Sequence, residues 1–102
     1  MIAPIITTNL SQIQSICKQH HVKELYVFGS AAKNEMKEDS DIDFLVEFKE
    51  DIYDNYASNY FDLLQQLNSL TKKNIDLVTV AMLKNVFLKS NIEKNKQTIY
   101  VS

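Results

Sequence analysis

The chain has 102 residues, 45% of them hydrophobic and 24% charged, and a net charge of −2. That length suits one domain, residues 1–102, with a single modest core. The acidic balance argues against a general nucleic-acid binder, and no apolar run reaches the roughly 18 residues of a membrane span.

Every positively charged side chain is lysine, so the planar fork of arginine is missing from the chemistry available. Cys17 is the only cysteine, which excludes an intrachain disulfide and fits a reducing compartment. The N-terminus lacks the basic and apolar stretches of a secretory signal, and a cytoplasmic location is expected.

Residues 8 to 21 read as a helix, with Thr8 or Asn9 as the cap and Leu10, Ile13, Ile16 and Cys17 at helical spacing. His20 and His21 fall at its end, where imidazole suits the helix dipole. Leu25 to Phe28 is a short apolar run that stops at Gly29, the only glycine, and reads as a strand entering a turn. A lone glycine marks a place where the backbone needs positive φ or close approach. Residues 30 to 40 are polar and suit one short helical turn.

Residues 41 to 48, DIDFLVEF, read as a second strand. Ile42, Phe44, Val46 and Phe48 share one face, and Asp41 and Asp43 project from the other. A long helix follows over residues 54 to 71, with Tyr56, Tyr60, Leu63, Leu64, Leu67 and Leu70 along one side. Its aromatic group, which also includes Tyr53 and Phe61, reads as core packing with a partner surface as the alternative. Asn74 to Val80 is a third strand, residues 81 to 94 a final helix, and the tail QTIYVS a short strand or an extended end. This order predicts a small α/β fold with helices packed on a short mixed sheet.

Three features carry chemistry. Gly29-Ser30 opens a turn after a strand, where backbone N–H groups and a hydroxyl can face a phosphate. Asp41 and Asp43 place two carboxylates a few ångströms apart, an arrangement that repels itself unless a cation or proton intervenes. Hard cations such as Mg²⁺ take oxygen ligands of this kind. Asp76 lies on an otherwise apolar strand, and it completes a three-carboxylate cluster if that strand pairs beside the Asp-x-Asp strand. Each has a plainer reading. Asp41 and Asp43 could be a solvated strand start, Asp76 a strand-edge acid capping a loop, and Ser30 a turn-forming hydroxyl. Glu38 and Asp39 lie in the same acidic run, but in the loop and outside the strand.

The stretch VFGSAAKNEMKEDSDIDFLVEF resembles the signature of the minimal nucleotidyltransferases of the polymerase-β-like superfamily. That signature is Gly-Ser, ten residues, then Asp-x-Asp, with a third Asp on a later strand, and residues 31 to 40 supply the interval here. The resemblance spans nearly the whole chain. It implies a small nucleotidyltransferase fold, ATP held at Gly29 and Ser30, and two Mg²⁺ held by Asp41, Asp43 and Asp76. It also implies an antitoxin role in a HEPN/MNT toxin–antitoxin pair, with AMP transferred from ATP to a tyrosine of a HEPN-domain RNase toxin.

Two departures stand out. The family often has Arg directly after the Ser and Gly a few residues later, where this chain has Ala31 and Asn34. Lys33 is the nearest cation able to approach a phosphate, as a point charge only. The missing Arg motivates a rival reading, in which the metal site is vestigial and the protein neutralises a toxin by masking its active site. A transferase acting on a small molecule or an RNA end is a third reading, one that calls for a substrate-binding domain this chain has no room for.

Overall fold

The computed structural model describes residues 2–102, with Ile52 and Tyr53 described by backbone alone. The elements run α1 (Pro4–Thr8), α2 (Leu10–Gln19), β1 (Val22–Phe28), β2 (Ile42–Phe48), α3 (Tyr56–Thr71), β3 (Ile75–Thr79), α4 (Val86–Asn95) and β4 (Gln97–Val101). Short 3₁₀ turns occupy Gly29–Ala31, Glu50–Asn55 and Val80–Met82. The four strands form one mixed sheet in the order β3-β2-β1-β4. β1 pairs antiparallel with β2 and β4, and β2 pairs parallel with β3.

The expected helix over residues 8 to 21 is α2, and a short helix that was not expected, α1, precedes it. Pro4 starts α1, because proline at the opening position lacks only an N–H that would have no partner there. The chain breaks at Asn9, whose side chain makes no cap bond to α2 and instead donates to the Ile5 carbonyl at 2.8 Å. β1 begins three residues earlier than the apolar run suggested. Val22 is buried, but Lys23 faces solvent, Glu24 is half-buried and the register shifts between Val22 and Glu24, so the alternation is broken there. The last helix starts at Val86, not residue 81, and Asn85 caps it by accepting from the Phe87 and Leu88 N–H groups.

The core lies between the sheet and helices α1 to α3. Ile6, Ile13 and Cys17 meet Val22, Leu25 and Val27 of β1, Ile42, Phe44 and Val46 of β2, and Leu63 and Leu67 of α3. The alternation read in DIDFLVEF is therefore real, except that Leu45 is buried on the opposite face. Of the aromatic group on α3, Tyr60 is half-buried and its hydroxyl donates to the Leu77 carbonyl, which fastens α3 to β3. Tyr56 and Phe61 are exposed, so the core reading does not hold for them; the Tyr53 side chain lies outside the described residues. His20 is buried where α2 ends. Its Nδ1 bonds the Ile16 carbonyl at 2.7 Å, and its Nε2 lies 2.5 Å from Asp62 Oδ2 on α3.

Candidate active site

Strand register decides which acids can meet. Asp43 of β2 lies level with Asp76 of the parallel strand β3, and on its other side with Phe28, the last residue of β1. The turn that leaves β1 therefore begins directly beside Asp43. Gly29 has φ +68°, and a β-carbon there would stand 2.4 Å from Asp43 Oδ2. Only glycine lets the turn and the carboxylate share this space. The 3₁₀ turn Gly29–Ala31 has first N–H groups without partners inside the turn itself, as every helical start does. Ser30 is half-buried at its centre, and its carbonyl accepts from Glu35 N at 2.8 Å, which closes the loop toward β2.

The carboxylates are unequal. Asp43 is half-buried, and its pKa is pushed up to about 6. Burial is the largest cause, followed by the charges of Asp76 and Asp41 and a side-chain hydrogen bond with Asp76. Asp76 is exposed beside it. Asp41 sits one residue before β2, exposed, and lines a neighbouring groove with Phe61, Leu64 and Asn68 of α3 and Asn74 and Ile75. Its charge reaches Asp43, but its side chain also belongs to that groove. Among the described residues, no three His, Cys, Asp or Glu side chains already converge as a cation site. As the side chains stand, Asp43 and Asp76 are level neighbours whose charges interact, and Asp41 flanks them.

Donor chemistry nevertheless suits a hard cation. Burial and the two neighbouring carboxylates raise the proton affinity of Asp43, and a divalent ion relieves the same repulsion that a proton relieves. Asp39 is exposed in the loop before Asp41, and so is Glu38, whose carbonyl accepts from Lys73 Nζ at 2.7 Å.

A cleft of about 200 Å³ opens over Asp43. Phe28, Gly29, Lys33 and Asp43 form one wall, and Leu88, Asn91, Ile92 and Asn95 of α4 form the other. Lys33 is thus the cation at the cleft, while Ala31, in the position of the family's Arg, is buried in the core. The α4 wall was not anticipated from the sequence. Its four residues recur at helical spacing, which was the available signal, but two of them are Asn and do not read as a buried face.

A sheet with Gly-Ser at the end of β1, Asp-x-Asp at the start of β2 and an acid level with it on β3 defines a nucleotidyltransferase. The Nucleotidyltransferase domain family matches residues 10–99, and the chain belongs to that family. A Methanocaldococcus jannaschii relative with a provisional protein adenylyltransferase name is 36% identical over 100 residues, covering 90% of this chain and 97% of that protein. The protein adenylyltransferase MntA of Thermococcus cleftensis is 33% identical over 100 residues, covering 90% and 95%. Among solved structures, one described provisionally as a minimal nucleotidyltransferase matches with TM-score 0.78 and 27% identity, covering 95% of each chain. A chain of the complex between the tri-AMPylated Shewanella oneidensis HEPN toxin and its MNT antitoxin shares the fold, with TM-score 0.64 and 21% identity, covering 94% of this chain and 72% of that one.

Proposed function

We propose that this chain is a Mg²⁺-dependent protein adenylyltransferase, the antitoxin partner of a cytoplasmic HEPN-domain RNase toxin. It transfers AMP from ATP to a tyrosine hydroxyl of the toxin and so neutralises it. The observation that carries this reading is the Asp43–Asp76 pair, level across β2 and β3 and set against the glycine turn. Relatives over 30% identical along nearly the full chain, named as protein adenylyltransferases, support the reaction class. The HEPN partner is supported by the Gly-Ser…Asp-x-Asp resemblance and by the complex in which the shared fold occurs.

The triphosphate would lie over Gly29 and Ser30, with Lys33 as its nearest cation. Asp41, Asp43 and Asp76 would hold the Mg²⁺, whose chemistry is to neutralise the triphosphate and the departing pyrophosphate and to acidify the attacking hydroxyl. The toxin oxygen forms a bond to the α-phosphorus of ATP, the bond from that phosphorus to the bridging oxygen breaks, and pyrophosphate leaves. Asp76 is the more exposed of the pair, and it takes the hydroxyl proton. Gly29 and Asp43, packed together, hold the geometry beneath it.

The test is the intact mass of a HEPN-domain toxin co-expressed with this chain. Whole AMP adducts mapping to tyrosine are expected. One observation favours the masking alternative: Ala31 is buried, so nothing replaces the family's Arg at that position. An Asp41→Asn/Asp43→Asn double variant separates the two readings. Full growth rescue by that variant, with the toxin unmodified, selects masking over modification.

A further inference from the structure

Helix α4 is exposed almost throughout. Within it Ile92 alone is buried, and Val86 and Phe87 are 77% and 87% exposed. Val86 and Phe87, with Leu88 next in the chain, leave the N-terminal end of the helix apolar and exposed. A ten-residue helix is marginal without tertiary packing, and this one packs on the sheet through little more than one side chain. Its apolar N-terminal half is therefore built to be covered.

Two features say by what. The surface adjoins the cleft, because α4 is the cleft's wall: Leu88, next in the chain to Phe87, is half-exposed and lines the side opposite Gly29, Lys33 and Asp43. A partner seated on Val86 and Phe87 is held at the edge of the cleft that contains the Asp43 carboxylate. The segment is also basic in a chain of net charge −2. Lys84, Lys89 and Lys94 are exposed around the apolar centre, and the segment's single acid, Glu93, is held by Lys96 at 2.9 Å. A partner with an apolar patch ringed by carboxylates complements this surface.

We infer that the exposed apolar end of α4, Val86 and Phe87 beside Leu88, is the docking site of the protein acceptor, which grips this half of α4 and lays its hydroxyl-bearing segment into the adjoining cleft. The inference rests on the proposed adenylyl transfer. Val86 and Phe87 act as anchors for the acceptor and take no part in holding nucleotide; the Asn95 Nδ2 to Asn91 Oδ1 bond, at 3.0 Å, stiffens the cleft side of the same helix.

The test uses full-length protein carrying Val86→Ser and Phe87→Ser, with the cognate HEPN-domain protein as acceptor. The expected result is an acceptor KM raised at least about tenfold, with kcat within about twofold and binding of a fluorescent ATP analogue unchanged. A Lys89→Glu variant is expected to weaken docking in the same direction and to lessen its salt dependence. Direct binding measured without nucleotide separates this inference from the activity it rests on. An acceptor that binds wild type but not the double variant supports the surface even where no AMP is transferred. Equal binding and equal transfer by wild type and variant overturn the surface and leave the activity standing. A wild-type homodimer that the double variant dissolves, with acceptor kinetics unchanged, also overturns it and assigns the patch to a second copy of the chain.

Discussion

Gly29 and Asp43 share a space that no other residue pair could occupy unchanged, since a β-carbon on residue 29 would meet Asp43 Oδ2 at 2.4 Å. The turn and the most buried carboxylate are thereby one structural unit. Gly29→Ala is expected to cost roughly 1–2 kcal/mol for the left-handed backbone alone and to turn the Asp43 carboxylate out of its place beside the turn. Adenylyl transfer should fall far more than stability does. Thermal melts alongside initial rates check this; a variant that loses stability and keeps its rate would show that Asp43 need not sit where it does.

Asp43 also predicts a pH dependence opposite to that of most aspartates. Its carboxyl is raised to about 6 in the fold, above its ordinary value of 3.8. The folded protein therefore holds this proton more tightly than the unfolded chain. The stability from that proton is fully present below the unfolded value and is lost as pH rises through about 6. Urea midpoints of metal-free protein, measured at intervals between those limits, should fall with pH on this account. Asp43→Asn should flatten that part of the profile, and added Mg²⁺ should raise the midpoint above pH 6 and not below. A profile identical in wild type and Asp43→Asn would remove the argument.

His20 and Asp62 tie the end of α2 to α3, 2.5 Å apart. The His20 hydrogen bond is the main cause holding the Asp62 carboxyl below its ordinary value, with the His20 charge and a Gln66 bond adding to it. A lowered carboxyl contributes stability above its unfolded value that is lost as pH falls through the folded one. His20→Ala removes the donor to the Ile16 carbonyl and to the exposed Asp62 carboxylate, and is expected to lower the urea midpoint at neutral pH. Asp62→Asn should remove the acid limb of the profile. Neither change touches the cleft, so transfer rates per folded molecule should stay at the wild-type level, as a rate normalised to folded fraction would show.

Cys17 is fully buried between α2 and the sheet, and burial pushes its thiol up to about 12. It is a core residue, as its place on the helix face suggests. A thiol reagent at pH 8 should label it at the rate of opening and not at the rate of an exposed cysteine. Labelling as fast as free cysteine would mean the α2 packing is wrong.

Much of the site was legible because its signals are local. The single glycine after an apolar run marked the turn, and its positive φ follows from having no β-carbon. The alternation of Ile42, Phe44 and Val46 set both aspartates on the other face of β2, and parallel pairing then brought Asp76 level with Asp43. What could not be read depends on contacts made far along the chain. Lys23 and Glu24 belong to β1 because Val101 and Glu47 pair around them, not because of any pattern of their own. The cleft wall of Leu88, Asn91, Ile92 and Asn95 exists because α4 lies over the sheet, and its two asparagines conceal the face. The loss of the family's Arg was visible, but not that position 31 points into the core.

The central claim is that Asp43 acts chemically in adenylyl transfer. Its direct test is transfer of label from α-labelled ATP to the cognate HEPN-domain toxin by Asp43→Asn protein, folded to the wild-type extent by circular dichroism. The account predicts that labelling disappears while the toxin still binds. Undiminished labelling by the variant would contradict it.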